Sequence, residues 1–458
     1  MIAYKTTLNG QDLDFLHSIF PEDLLTEPEH TYVYGSDASL LRGTPLAVVT
    51  PTRVEQVQKL LAWANDNRIP IYMRGRGTNL VGDCVPVIPG IVISTMKMSN
   101  IIEISKEDFV AVVEPGITTG IFQAACEAKG LYYPPDPATV NSSSIGGNVI
   151  TCAGGMRALK YGVTRDFVLG AEVVLPNGKL LHFGGRTHKN VVGLDLARLM
   201  VGSEGTLGFI SKLWLKLLPK PETSASVLVG YENYEAAISA VGQIFAAGVL
   251  PCALEYLGDK VVSVMAEKGN VPWPQDIGAL LLLRVDGSKD TLPYEIKSIT
   301  DNIPTSKWHM TGIGKEEEEP LWEIRRRINP TAFLLGDSKI NDDITVPRGS
   351  LVKAIKLVEK IAQEYNAQII HYGHVGDGNI HVNFLFNKED KEAEKRSHMA
   401  KEAINKAIVN LGGTFSGEHG CGIVKDTSKQ IPAEELALMH SVKKVFDPNC
   451  IMNPGKAY

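Results

Sequence analysis

His371, His374, His381 and His419 all fall within the stretch 371–419, and imidazoles gathered in this way can bind metal or move protons. The runs Ala367–His374 and Ile380–Phe386 read as strands that close around Gly376-Asp377-Gly378-Asn379, and Asp-Gly is a strong two-residue hairpin signal. With Asp377 and Gly378 at the centre of the turn, His374 faces His381 and Tyr372 faces Asn383, while His371 points to the opposite face of the sheet. Opposed residues have Cβ atoms about 4.5–5.5 Å apart, near enough for two imidazoles to share one metal ion. The string Ser416-Gly417-Glu418-His419-Gly420 adds a carboxylate and another imidazole on a glycine-flanked turn. His374, His381 and Glu418 would then make an open metal site with positions left for a substrate. A hydrogen-bonded histidine pair on a sheet, with Glu418 capping a helix, accounts for the same residues without a metal.

A second chemistry lies in the glycines. Arg74-Gly75-Arg76-Gly77-Thr78-Asn79-Leu80-Val81-Gly82 follows the apolar run Ile69–Met73 and is too rich in glycine to be a regular element. Exposed amides without Cβ atoms in the way suit a pyrophosphate. The loop lacks the third glycine of a Rossmann fingerprint and the GK[ST] of a Walker loop, which argues against nicotinamide and ATP. Further glycine-rich loops come at Ser142–Asn148, Gly154-Gly155 and Gly202–Gly208. Any one of them could be a plain tight turn, whereas four in one domain favour a dinucleotide. Arg325, Arg326 and Arg327 lie on a helix-like run after Trp322, where one could clamp a carboxylate and the others would face solvent.

These loops need strands and helices to hold them. Leu46–Val49 reads as a strand, Thr52 with Glu55 as a capping box, and Val54, Val57, Leu60, Leu61 and Ala64 as the buried face of a helix. Val110–Val113 and Ala171–Leu175 read as strands, with Asn177-Gly178 as a hairpin turn. Near Pro219–Glu222 the glycine density falls and the segments Glu235–Ala247, Ala279–Val285 and Leu351–Tyr365 begin an alternation of helices and strands, which marks a domain boundary. The acidic run Lys315–Glu319 reads as a solvated helix start.

At 458 residues, 44% hydrophobic and 21% charged, the chain is expected to fold as more than one domain. A net charge of -6 with scattered lysines and arginines gives no footprint for nucleic acid. No apolar stretch reaches the ~18 residues of a membrane span, and no signal-peptide pattern opens the chain, so a soluble cytoplasmic protein is expected. The six cysteines are widely spaced, with no cluster suited to iron-sulfur ligation, so any one-electron relay would have to sit on a partner.

In order and spacing, Pro70–Gly82, Tyr133-Pro134-Pro135-Asp136-Pro137, Ser144-Ile145-Gly146-Gly147-Asn148, Ala153-Gly154-Gly155, Tyr161-Gly162 and Gly202-Ser203-Glu204-Gly205-Thr206-Leu207-Gly208 resemble the FAD-binding domain of the vanillyl-alcohol oxidase / p-cresol methylhydroxylase superfamily. Over nearly the whole chain the resemblance is to the FAD-linked D-lactate dehydrogenase and glycolate oxidase FAD-subunit group. It implies an α+β fold: a p-cresol methylhydroxylase-type FAD-binding domain of two α+β subdomains, plus a substrate cap with an antiparallel sheet covered by helices. The expected divisions are an N-terminal segment 1–40, the FAD-binding domain 41–220, the cap 221–415, and a segment 416–458 that returns to the flavin. By resemblance, Arg74, Gly75, Arg76, Gly77, Thr78, Asn79, Leu80 and Gly82 wrap the pyrophosphate of FAD. Pro135, Asp136, Pro137, Ser144, Gly146, Gly147, Asn148, Ala153, Gly154, Tyr161, Gly162, Glu204, Gly205, Gly208, Ile210 and the C-terminal Asn453 serve the rest of the cofactor. Arg76 departs from the usual glycine or serine, and the loop has no histidine to tether a flavin, so the FAD would be noncovalent.

The family's GHxGDGNxH and GEHG motifs are matched at Gly373–His381 and Gly417–Gly420. The resemblance implies His374, His381 and Glu418 as ligands of a divalent metal, zinc by expectation, with iron or manganese fitting the same set. His419 would be the catalytic base, Asn383 a polar substrate contact, and Arg325, or next Arg326, the carboxylate clamp. Relatives acting on longer dicarboxylates carry a lysine near Asn341, read as absent here, which counts against the larger substrates. The implied reaction is oxidation of a D-2-hydroxy acid such as D-lactate or glycolate, with hydride passing to the flavin. Electrons would leave to an electron-transfer flavoprotein, an iron-sulfur subunit or a quinone, and membrane association would come only through such a partner. A homodimer is the assembly considered. The competing readings are a polyol or sugar flavin oxidase on the same scaffold and a flavin electron-transfer subunit with no substrate chemistry.

Overall fold

The computed structural model describes the chain apart from Met1, Ile2, Asn270, Pro304 and Tyr458. The chain forms two compact units: Met1–Gly154, Val163–Lys220 and Glu418–Tyr458 make the first, and Gly155–Gly162 with Pro221–Gly417 the second.

The first unit is built on two larger sheets, with a two-stranded one between Leu131–Tyr132 and Leu218–Pro219. In the four-stranded sheet, Pro45–Val49 and Ile71–Arg74 flank Gly90–Ser94 in parallel, and Leu24–Leu25 adds antiparallel at the edge. Strands that run parallel cannot be joined by a tight turn. The helix Val54–Asn67 makes the crossover from Pro45–Val49 to Ile71–Arg74 and buries Val57, Leu60, Leu61 and Ala64 at helical spacing. Its start differs from the expected Thr52/Glu55 box. Gln56 Oε1 accepts the amides of Thr52 and Arg53 at 2.9 and 3.2 Å, whereas Glu55 faces solvent. The next strand begins at Ile71 rather than Ile69, because Pro70 has no amide to give a ladder. It ends on Arg74, so the chain passes from a buried strand straight into the glycine loop. The second sheet is antiparallel, in the order Ile101–Ser105, Val110–Val113, Phe209–Lys216, Val168–Val174, Leu180–Gly184. Its last pair turns at Asn177-Gly178, with Gly178 at φ +78°.

The second unit is one seven-stranded antiparallel sheet in the order Trp308–Ile313, Thr223–Tyr231, Ala279–Gly287, Ala253–Leu257, Gln368–Gly373, Asn379–Phe386, Ser338–Thr345. Alternate residues enter two cores, as the period of two requires. Val227, Val229, Leu281 and Leu283 pack beneath helices Tyr234–Ala246, Leu292–Asp301, Leu351–Glu364 and Lys391–Asn410. Leu228, Leu280 and Leu282 pack beneath Asp259–Glu267, Gly314–Arg326 and Ile328–Ala332.

The histidine hairpin does not close on a two-residue turn. Tyr372 pairs with His381 and Ile370 with Asn383, two residues out of the expected register. Residues 374–378 form the connection, with the amides of Asp377 and Asn379 both donating to the His374 carbonyl. A shift of two preserves the faces, so Tyr372, His381 and Asn383 still share one side of the sheet and His371 the other.

The acidic run Lys315–Glu319 is also not wholly solvated. Glu318 turns inward at 1% exposure, where Arg284 donates to both its oxygens at 2.9 Å and the Ser224 and Ser226 hydroxyls add two more bonds. Trp322 Nε1 donates to Ser226 at 2.9 Å and extends the network. Removing one partner of a buried ion pair strands the other, so Glu318→Ala is expected to cost about 3 kcal/mol. Urea denaturation followed by circular dichroism reads this directly, and an unshifted midpoint would mean that the pair contributes nothing net.

Candidate active site

On the second unit's sheet, one face carries a polar patch between apolar neighbours. Glu255 lies in the strand Ala253–Leu257 and is fully buried. Its Oε1 accepts from His374 Nδ1 at 2.5 Å and its Oε2 from Arg325 Nε at 2.6 Å. Burial alone would push the Glu255 carboxyl up, but the charges and hydrogen bonds of His374 and Arg325 outweigh it and hold it at about 2. An ionised carboxylate can only accept, so His374 carries a proton on Nδ1 and its Nε2 points away from Glu255. That Nε2 meets His381 Nε2 at 3.4 Å, with the two rings at 89°. Arg325, near the end of helix Gly314–Arg326, places its guanidinium 5.0 Å from the centre of the Tyr372 ring, and Tyr372 in turn packs against His381.

Asp343, opposite His381 on the neighbouring strand, has Oδ1 3.8 Å from His381 Nδ1. Asn379 Nδ2 donates to that same Oδ1 at 2.7 Å, and the amide of Gly417 donates to Oδ2 at 3.0 Å. Asn383 is buried two residues along, opposite Asn341. Lys339 shares this face, but its ammonium donates to Asn329. The structure separates the two candidate clamps. Arg325 reaches inward to Glu255, whereas Arg326 is half exposed and already matched by Glu319 and Glu323. His371, on the opposite face, bonds Glu359 at 3.2 Å and stacks on Tyr256.

In the first unit the glycine loops form a close-fitting cradle. A Cβ on Gly75 would lie 2.3 Å from Ser144 Oγ, and one on Gly146 would lie 2.5 Å from Pro115 Cβ. Gly77 turns at φ +66° over the Arg74 guanidinium, which itself donates to the Ser36 carbonyl. Arg76 donates to Thr118 Oγ1 at 3.1 Å, yet its Nε is buried without a partner, as are Ser94 Oγ, Ser203 Oγ and Tyr133 OH. Buried donors without partners are rare in folded proteins and fit a polar ligand that belongs there. Asn148 Nδ2 donates to Thr119 Oγ1, and Gln123 Nε2 holds the Pro135 carbonyl. Asn79 fixes its own loop through the Val81 amide and reaches the His419 carbonyl at 3.1 Å. Gly154 leaves room for Glu418, since a Cβ there would come 2.8 Å from its Oε2.

Three of the expected cofactor residues have protein partners of their own. The Glu204 carboxylate accepts the amides of Cys421 and Gly422, and Gly208 lies where a Cβ would strike Val173. Tyr161, in the second unit, directs its hydroxyl to Asp286 at 2.9 Å.

Paired α+β sheets lined by glycine loops, and a separate antiparallel sheet covered by helices, define a class. This is the p-cresol methylhydroxylase-type fold: p-cresol methylhydroxylase with substrate bound superposes with a TM-score of 0.80 over 100% of this chain and 98% of that one, at 19% identity. Alkyldihydroxyacetonephosphate synthase follows at 0.77, over 99% and 87%, also at 19% identity. The model for the FAD binding domain matches residues 45–184, and that for FAD linked oxidases, C-terminal domain, matches residues 220–457. The chain belongs to the FAD-linked oxidase family. It is 38% identical to the glycolate oxidase subunit GlcD of Bacillus subtilis over 96% of this chain and 94% of that protein. It is 33% identical to the D-lactate dehydrogenase of Anaerostipes hadrus over 99% and 95%, and 32% identical to the D-2-hydroxyglutarate dehydrogenase of Stutzerimonas stutzeri over 96% and 96%.

Glu255 and Asp343 were not singled out by the sequence reading. The available signal was a lone acid in the apolar run Ala253–Leu257, since a charge there must be paired to be buried. The requirement for glycine at 417 is also geometric, for a Cβ would lie 2.3 Å from Asn379 Nδ2 and 2.4 Å from Thr345 Oγ1. Gly417→Ala is therefore expected to lower the unfolding free energy by about 2 kcal/mol through overpacking. Guanidinium denaturation checks it, and wild-type stability would show that the pocket yields.

Proposed function

We propose that this chain is a dehydrogenase that uses noncovalent FAD to oxidise a small D-2-hydroxy acid, of the D-lactate or glycolate kind, to its 2-oxo acid. The observation that carries the reading is Glu255, which orients an arginine and a histidine together on one sheet face. Arg325 binds the substrate carboxylate through its planar fork, kept in orientation by Glu255 behind it. Asn383 gives a further polar contact, and His419 takes the proton of the 2-hydroxyl. The glycine cradle would hold FAD, which when bound would supply a hydride acceptor.

A divalent metal suits the donor set. His374 presents Nε2 with its Nδ1–H given to a carboxylate, the arrangement that orients metal-bound imidazoles. The 3.4 Å between the two Nε2 atoms agrees with the separation of two nitrogens on a tetrahedral zinc, about 3.3 Å for Zn–N bonds of ~2.05 Å. In this reading His374, His381 and Glu418, the residue after Gly417, hold the ion, which when bound supplies a Lewis acid for the substrate oxygen. Zinc is the first choice, with iron or manganese next. The six cysteines form no relay, so a partner takes the electrons: an electron-transfer flavoprotein, an iron-sulfur subunit or a quinone. Among the described residues no helix is long and apolar enough to cross a membrane, and we place the enzyme in the cytoplasm.

Anaerobic addition of D-lactate, L-lactate, glycolate or D-2-hydroxyglutarate to the FAD-loaded protein tests this, with and without prior chelation. Bleaching of the oxidised-flavin band is expected with one small D-acid or glycolate, lost on chelation and restored by a divalent metal. Bleaching by none of them would defeat the hydroxy-acid assignment, and bleaching indifferent to the chelator would defeat the metal. Arg325→Lys keeps the charge but loses the fork, and is expected to lower kcat/KM about a hundredfold. Arg326→Ala should change it by less than about twofold, since its exposed ion pairs contribute little. Equal effects in steady-state kinetics would overturn the choice between them.

A further inference from the structure

Among the buried carboxylates of the first unit, one has a job of its own. Glu204 is 5% exposed and adopts φ +48°, a left-handed conformation that costs a residue with a Cβ some strain. Its Oε1 accepts the amide of Cys421 at 2.7 Å and its Oε2 that of Gly422 at 2.8 Å. Gly420 and Gly422, at φ +81° and +50°, turn those two consecutive amides toward the same point. Such a concavity of N–H groups is an anion nest, and here the anion is part of the chain. No side chain larger than hydrogen fits: a Cβ on Gly420 would lie 3.0 Å from Glu204 Oε1, and one on Gly422 would lie 2.0 Å from the Val81 carbonyl.

The nest sits just after His419, whose own carbonyl is held from the other side by Asn79. We propose that Glu204 is a positioning residue for His419, its carboxylate fixing the loop 419–422 by filling the nest of the Cys421 and Gly422 amides. The proposal rests on the reading of His419 as the catalytic base.

The surroundings support a fixed carboxylate at this point. Asn453 Nδ2 donates to the carbonyls of Glu204 at 2.6 Å and Asp83 at 3.0 Å. The Lys456 ammonium, nearly buried, donates to the carbonyls of Gly82, Asp83 and Val85 at 2.7, 2.9 and 2.7 Å. Both oxygens of Asp83 are buried with no N–H or hydroxyl donor, and the Glu204 carboxyl adjoins them. Burial, and next the charge of Glu204, push the Asp83 carboxyl well above the usual carboxylate range. The Glu204 carboxylate thus holds the segment at 421–422, while Asn453 and Lys456 hold the backbone carbonyls of Glu204 and of residues 82–85 beside it.

The test compares the FAD-loaded wild type with Glu204→Gln and Glu204→Asp. Glutamine keeps the shape but has one acceptor for two amides. In hydrogen exchange followed by mass spectrometry, peptides covering 419–423 should exchange at least about tenfold faster in Glu204→Gln, with partial protection regained in Glu204→Asp. Asp83→Asn keeps the shape of the neighbouring side chain without its carboxyl and should retain the protection. In anaerobic single-turnover reduction by D-lactate, or by glycolate where D-lactate is not oxidised, Glu204→Gln should lower the limiting rate about a hundredfold. FAD content and the half-saturating concentration of acid should stay near wild type, and Glu204→Asp should recover part of the rate. A merely structural role would lower FAD content and rate together. Wild-type exchange and rate in Glu204→Gln would overturn the proposal, as would loss of bound FAD in parallel with activity. If no 2-hydroxy acid reduces the wild type, the proposed function fails on its own. The exchange comparison then decides the clamp, and unchanged protection would overturn it.

Discussion

A carboxylate can be buried only where its charge is met and its lone pairs are filled, and Glu255 meets that condition by joining a helix to a hairpin. Its strand is neighbour to Gln368–Gly373, so the register of the sheet brings His374 to one oxygen, while the last turn of Gly314–Arg326 brings Arg325 to the other. Neither partner can move without stranding the acid in an apolar layer. A single desolvated charge therefore ties three elements to one another and fixes both the arginine fork and the orientation of the His374 ring. Stability and chemistry draw on the same contact.

The first unit meets a different constraint with the same economy. A ligand approached by backbone amides needs the chain stripped of Cβ atoms, and a chain so stripped is entropically costly to hold. The cradle answers by close packing of the glycines against fixed atoms: Gly75 on Ser144, Gly146 on Pro115, Gly77 on the Arg74 guanidinium. At each of these positions a Cβ would clash, so the close approach of the loops depends on glycine. The partnerless Arg76 Nε marks where that shaping is incomplete without a ligand.

Much of this was legible in the residues. The glycine loops, the histidine hairpin and the arginine run are local signals, and the crossover helix followed from its apolar spacing. What could not be read was set by contacts distant in sequence. Asp-Gly suggested a two-residue turn, but the ladder between Tyr372 and His381, with Asn379 held by Asp343 and Thr345, imposes a five-residue connection instead. Arg325 and Arg326 are neighbours in sequence, yet each helical step rotates by about 100°, and only the facing element reveals which one turns inward. Glu204 looked like one more residue of a cofactor loop, and its partners at 421 and 422 are more than two hundred positions away.

Buried acids recur wherever the chain must bring distant segments to a fixed point. Glu255 joins a helix and a hairpin, Asp343 joins Asn379 to Gly417, Glu318 joins a helix to two strands, and Glu204 joins a loop of the sheet unit to the nest after His419. An apolar contact could hold these segments together, but it is non-directional and tolerates sliding. A carboxylate accepting charge-assisted bonds fixes both distance and angle, and it penalises any displacement with an unmet charge. Groups that transfer protons and orient a small acid need placement finer than apolar packing provides. In the proposed reaction, the acids that do no chemistry themselves would therefore be what allows the arginine and histidines beside them to do it.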